Sequence, residues 1–309
     1  MNATELMATA AKMSLPALAD LIGLAALGAI VVAAICEWTA RIGKRVLLDK
    51  YAQQTATMAL KLAFLAILGA GMSAFPALQR FPGLKQWLAH PASPLTHVFI
   101  LCAATVLLLV LWAPLWKKMR KQKGAHSALG LLAAVASLAT IAAGTIGAIQ
   151  LLPALRAENA PQWPTAFDPF TAAMTVQYLL VAMASGAGLS LAYLVMRRNK
   201  DDFGRDYYRF GLSRAALWAF VPMLLQLGTQ GWLFSTLPEQ TRTMITQGPL
   251  GILWATALAA SVLCIALWAP MWKSDSPLRL KWAAFLGALL LWIMHTANTM
   301  LFLNLTALV

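Results

Sequence analysis

Leu111-Trp112-Ala113-Pro114-Leu115-Trp116-Lys117 returns 156 positions later as Leu267-Trp268-Ala269-Pro270-Met271-Trp272-Lys273. Each copy closes a long apolar run and opens a basic stretch. The same offset, with no gap, sets Arg41, Lys44, Tyr51 and Phe64 opposite Arg197, Lys200, Tyr207 and Phe220. A period kept across both halves is the mark of internal repetition, so the chain reads as two copies of one unit of roughly 150 residues.

Composition identifies the solvent of that unit. Of 309 residues, 60% are hydrophobic and 11% charged, with a mean hydropathy of +0.69. Soluble domains carry about 25% charged residues, so the expected class is an all-α polytopic membrane protein. A formal net charge of +13 would suggest nucleic acid in a soluble chain. Here the positive charge lies in short loops between apolar runs, where it reads as topology information; membrane lipids are the expected surroundings and nucleic acid is not an expected partner. Cys36, Cys102 and Cys264 sit singly inside apolar runs, with no zinc, redox or haem-attachment spacing. Residues 1–19 lack the basic stretch and apolar core of a cleavable signal peptide, so the first helix is expected to stay in the mature protein.

A spanning helix needs about 20 predominantly apolar residues. Eight stretches qualify, near 17–39, 56–77, 95–116, 127–152, 170–196, 212–234, 247–270 and 281–306. Pro76, Pro153 and the Pro161/Pro164 pair are expected to punctuate connections. Most of the 24 Lys and Arg residues fall after spans one, three, five and seven: Arg41 to Lys50, Lys117 to Lys123, Arg197 to Arg209 and Lys273 to Lys281. The other side holds only Lys12, Arg80, Lys85, Arg156 and Arg242. Positive charge marks the cytoplasmic side, so both termini are expected outside, in the periplasm of a bacterial inner membrane. Four spans per unit start both units on the same side. The fold class expected is therefore eight transmembrane helices as two parallel-related four-helix bundles, with residues 1–153 and 170–309 as the repeats and 154–169 as an external linker. That arrangement disfavours inverted-repeat transporters. The repeated Trp residues fall at the cytoplasmic ends of spans three and seven, and are expected to act as interfacial anchors. Small residues along span four suit close packing within the bundle or against a partner.

Ionisable and polar groups inside spans are costly and mark candidate sites. Asp20 opens span one and His97 opens span three. Span six carries Gln226, Thr229 and Gln230, with Gln226 and Gln230 one turn apart on the face of Pro222; span eight carries His295 and Asn298, also on one face. The two sets can converge near the outer leaflet. Offset by 156, Gln226 matches Ala70 and His295 matches Ala139, so the polar set belongs to the second half. Its chemistry fits a quinone headgroup, whose carbonyls accept hydrogen bonds from His, Gln or Asn; interhelical hydrogen bonding is the alternative. Haem b is not expected, because His295 lies roughly 16 Å from its outer helix end at 1.5 Å per residue, whereas His97 is close to its own. Glu37 is expected to pair with Arg41 one turn later. The Asp201/Asp202/Arg205/Asp206 loop is expected to be solvated. No catalytic carboxylate pair, nucleophile elbow or phosphate loop occurs in the spans.

Eight helices in two bundles, both ends outside and polar residues near the outer face: this layout resembles the NrfD/DmsC-type membrane subunits of bacterial respiratory oxidoreductases. The resemblance implies a subunit without a cofactor of its own that anchors an iron–sulfur or multihaem cytochrome c partner and exchanges electrons with a quinol (menaquinol or ubiquinol). The stretch Gln230-Gly231-Trp232-Leu233-Phe234-Ser235-Thr236-Leu237-Pro238 and Met294-His295 is similar to membrane proteins that accompany multihaem cytochromes c in anaerobic bacteria. For the acidic residue of such a quinone site, Asp20 is the nearest candidate. A parallel-repeat carrier of a small solute and a purely structural anchor are the other classes open to this sequence. The spans supply almost no buried charge, which tilts the reading away from a proton-coupled carrier.

Overall fold

The computed structural model describes residues 3–116, 118–119, 121–157, 160–201 and 203–306. Lys117, Arg120, Glu158, Asn159 and Asp202, which enter the charge and loop arguments above, lie outside these. The described residues are built of helices α1 (Ala3–Ile42), α2 (Val46–Arg80), α3 (Gly83–Ala89), α4 (Pro94–Trp112), α5 (Lys123–Ala157), α6 (Pro169–Arg197), α7 (Gly204–Thr236), α8 (Glu239–Gln247), α9 (Leu250–Lys273) and α10 (Lys281–Leu305). All but α3 and α8 are long and apolar enough to cross a membrane, giving the eight expected spans. The chain is thus an all-helical, multi-pass membrane protein by length and composition.

The helices overrun the apolar stretches that marked them, because hydropathy reports only the part that meets hydrocarbon. Pro76 and Pro153 lie inside α2 and α5 rather than between helices, correcting the expectation that they end them. Within a membrane, neighbouring groups re-satisfy the carbonyl that a proline frees, so a helix can run on. True boundaries have local causes. Ser93 caps α4 by accepting from the Leu95 amide, with Pro94 at the first helical position. Asp168 caps α6, accepting from the Thr171 amide at 2.8 Å and the Thr171 hydroxyl at 2.7 Å. Three element boundaries keep the 156-residue spacing: α2 and α7 end at 80 and 236, α3 and α8 start at 83 and 239, α4 and α9 at 94 and 250.

Helices α1 and α6 form the centre. Each packs against the other, against α5 and α10, and against its own sequence neighbour, α2 or α7. Gly28 and Gly186 allow the close crossing. A Cβ on Gly28 would sit 1.8 Å from the Ala182 carbonyl oxygen, and one on Gly186 would sit 2.4 Å from the Ala29 nitrogen. Small residues at such a contact let backbones approach where no hydrophobic force drives helices together. One core surrounds Tyr207, Leu191, Trp268 and Leu291, and a second surrounds Trp112, Leu109 and Ala133. At the basic end Tyr207 donates to Gln54 Oε1 at 2.7 Å, and Gln54 Nε2 donates to Asp201 at 2.8 Å. Asp201 also pairs with Arg197. Asp201 is therefore a tie between helices, not the solvated loop residue expected from the mixed charges around it.

The repeated motif takes a different place from the one expected. Trp112 and Trp268 are both 0% exposed, so neither indole faces lipid; their partners Trp116 and Trp272 are half-buried. Each buried indole lies over a glycine: a Cβ on Gly130 would meet Trp112 at 2.7 Å, and one on Gly287 would meet Trp268 at 2.6 Å. A missing side chain on the facing helix makes room for a ring that composition alone would send to the interface. The two copies also end differently. A 3₁₀ turn over Ala113–Trp116 follows α4, whereas α9 continues through Pro270 to Lys273.

Candidate functional site

Two inter-helix contacts involve the polar residues of the second half: His295 with Asp20 of the first half, and Gln230 with Asn298. Counted from Ile42, Arg197 and Arg205 at the basic end, Asp20 on α1, Gln177 on α6 and Gln226 on α7 each lie roughly 30 Å along their helices at 1.5 Å per residue. That is about the thickness of a hydrocarbon core, so this level is the far headgroup boundary. There His295 of α10, fully buried, donates Nε2–H to Asp20 Oδ2 at 2.7 Å. The Asp20 side chain is 60% exposed, whereas that of His295 is 0% exposed. The pair thus runs from the protein surface to the interior. Tyr178 on α6 stands edge-on to the imidazole, with ring centroids 6.4 Å apart.

Pro222, Gln226, Thr229 and Gln230 are buried on one face of α7, as their spacing requires. Gln230 Nε2 approaches Asn298 Oδ1 at 3.4 Å, a long contact that bridges α7 and α10. Thr229 is taken up within its own helix, donating to the Gln226 carbonyl at 2.8 Å. His97 does not join the cluster. It accepts from Trp163 Nε1 at 3.2 Å, on a helix packed chiefly against α5. A shared position near an outer helix end does not bring a residue of the first bundle to α7 and α10.

Several buried atoms at this level have no hydrogen-bond partner among the described residues: both amide atoms of Gln226, Gln177 Oε1 and His295 Nδ1. Most buried polar side-chain atoms are paired, and each unpaired one costs about 1–3 kcal/mol. The tautomer follows from the observed bond. Asp20 accepts from Nε2, so a neutral ring presents its Nδ1 lone pair toward the interior. Gln226 offers an N–H donor and a carbonyl acceptor. Taken singly, these atoms can donate to or accept from a small polar group. Gln177 and Tyr178 were not among the expected ligands, although Gln177 carries the same signal as the others, an amide inside an apolar helix.

A second polar centre lies at the basic end of the first bundle, and the sequence reading missed it. Glu37 is buried in α1. Its Oε1 accepts from His126 Nδ1 at 2.6 Å and Ser127 Oγ at 2.9 Å, and its Oε2 accepts from Trp112 Nε1 at 3.0 Å. His126 Nε2 donates to the Trp112 carbonyl at 3.1 Å. Both imidazole nitrogens thus lie beside oxygen atoms that can accept. The expected Glu37–Arg41 pairing is replaced because Arg41 turns outward to stack on Trp38 while three donors converge on Glu37 from α4 and α5. His126 lies in the first turn of α5 and is buried. At the positions 156 further on, Glu37 faces Tyr193 and His126 faces Trp282, so this centre has no counterpart in the second half.

No family model matches the chain, and no curated protein matches it in sequence. Among solved structures, a chain of the bd oxidase from Geobacillus thermodenitrificans superposes with a TM-score of 0.70 at 13% identity, covering 99% of this chain and 88% of that chain. At that identity the likeness is one of fold.

Proposed function

We propose that this chain is an integral membrane subunit of a bacterial respiratory electron-transfer complex, with a quinone-headgroup site formed by Asp20, His295, Gln226, Gln230 and Asn298. The observation that carries the reading is the set of unpartnered buried atoms beside a His–Asp pair at the far headgroup level. A quinone headgroup presents two carbonyl oxygens that need donors, and its reduced form presents hydroxyls that need acceptors. Gln226 Nε2 supplies the first; His295 Nδ1 and the carbonyl oxygens of Gln226 and Gln177 supply the second. Bound quinone would bring reversible two-electron, two-proton chemistry. The residues would orient it, hold a proton at His295 Nδ1 and pass charge toward the exposed Asp20 carboxylate. Menaquinone and ubiquinone both offer the required carbonyls.

The fold shared with a bd oxidase chain supports a place in a respiratory complex. The lysines and arginines gathered at the opposite end support an orientation with both termini and the site on the periplasmic side of the inner membrane. In that orientation an iron–sulfur or multihaem cytochrome c subunit, of the kind served by NrfD/DmsC-type proteins, would dock near the site. Mild-detergent purification through a tag on this chain tests the reading. Redox-active subunits in the eluate and a quinone in its organic extract are expected; a solitary, monodisperse chain with no extractable quinone would count against it.

A further inference from the structure

At the other end of the molecule, two adjoining hollows of about 400 and 720 Å³ open on the basic face of the second bundle. They share Asp206, Arg209 and Asp275, so they form one groove between the C-terminus of α6, the first turns of α7 and the α9–α10 connection. Arg198, Arg205, Arg209 and Arg279 line the larger hollow, and Arg214 and Lys273 line the smaller. Two carboxylates oppose these six cations: Asp275, which pairs with Arg209, and Asp206. The groove is left with a surplus of guanidinium groups that no described carboxylate neutralises.

Topology signalling accounts for positive charge on this face, but not for its distribution. Offset by 156, Arg198, Arg205, Arg209 and Arg214 stand where the first half has Ile42, Asp49, Gln53 and Met58. The first half meets the same topological need with Arg41, Lys44, Arg45 and Lys50 around the α1–α2 connection. Arginine, not merely cation, is what the second half concentrates, and the planar guanidinium fork matches phosphate oxygens in pairs. Apolar groups border the charge: Trp272 and Phe210 at one end, Pro277 and Leu278 at the other. Trp272 is half-buried and Lys273, beside it, is exposed, the arrangement of residues at a headgroup boundary.

We infer that this groove is a binding site for the phosphate of an anionic phospholipid headgroup, held by Arg205, Arg209 and Arg279. Basic hollows between helices at the cytoplasmic surface are suited to such headgroups. The inference is independent of the quinone reading, which concerns the opposite membrane boundary.

Native mass spectrometry of the delipidated full-length protein, with phosphatidylglycerol or phosphatidylcholine added back, tests it. Phosphatidylglycerol is expected to be retained at least about tenfold better, with the triple variant R205Q/R209Q/R279Q losing that preference. R205K/R209K/R279K, which keeps charge but not the fork, is expected to lose most of it. The charge-matched K44Q/K118Q/K121Q should keep it. Equal retention of phosphatidylcholine, or equal loss in the first-half lysine variant, would overturn the assignment. Displacement of the lipid by an equimolar amount of inorganic phosphate or of an acidic peptide would overturn the lipid as the source of the anion. Unchanged elution volume and helical circular dichroism of the variants separate lost binding from lost folding.

Discussion

His295 Nε2 lies 2.7 Å from Asp20 Oδ2, tying α10 to α1 across 275 positions of sequence. The bond holds the imidazole so that its buried Nδ1, which has no partner among the described residues, faces the interior. Asp20→Asn is expected to lower quinol oxidation by about 10–100-fold in membranes containing the assembled complex, as for other carboxylates that orient a functional histidine. Asp20 is exposed, so the variant should still assemble in normal amounts. Unaltered turnover in both Asp20→Asn and His295→Ala would show that the pair has no part in the chemistry.

Gln226 separates a binding role from a packing role. Its amide is fully buried and neither atom is satisfied. If it is held for a ligand, Gln226→Leu should leave the ligand-free protein equally stable or stabilise it by about 1–3 kcal/mol, since a buried unpaired amide is removed. Quinone binding should weaken in the same variant. Unfolding by sodium dodecyl sulfate in mixed micelles and quinone titration report the two effects. Destabilisation with unchanged quinone affinity would make Gln226 a structural residue.

Glu37 and His126 should behave as a buried ion pair whose halves are costly to separate. Removing the imidazole with His126→Phe leaves the buried Glu37 carboxylate held only by Ser127 and Trp112, at an expected cost of up to about 3–5 kcal/mol. Glu37→Gln relieves part of that cost, so the double variant E37Q/H126F should be more stable than His126→Phe alone. A double-mutant cycle followed by unfolding in mixed micelles measures the coupling. Additive effects would contradict the pairing.

The Gly28–Gly186 crossing sets the distance between the central helices. Gly28→Ala would drive a methyl into the Ala182 carbonyl. The helices must then part, and a loss of about 2 kcal/mol or more, or failure to accumulate, is expected from overpacking. Gly71→Ala, with nothing within 4 Å of the added carbon, is the control and should be tolerated. Equal yield and equal thermal stability of the two variants would refute the close-contact account.

What could be read in advance was whatever local pattern governs. Apolar runs located the eight spans, and three element boundaries recur at the 156-residue offset. Helical periodicity placed Gln226 with Gln230 and His295 with Asn298, because spacing on one helix fixes a shared face. Partners on different helices were not legible. Glu37 finds His126 89 positions away, and an i,i+4 arginine was the nearer but wrong choice. Interface preference placed Trp112 and Trp268 at the membrane surface, whereas Gly130 and Gly287 opened internal space for them. His97 lies near an outer helix end but in the wrong bundle. Depth follows from position along a helix; neighbours follow from packing.

The central claim, a quinone headgroup beside His295, is tested most directly by photolabelling the purified complex with an azidoquinone and mapping the adduct by peptide mass spectrometry. Modification within 226–230 of α7 or 295–298 of α10, abolished by excess unlabelled quinone and by His295→Ala, is the result the account predicts. Labelling confined to another subunit, or adducts that neither competitor nor substitution removes, would contradict it.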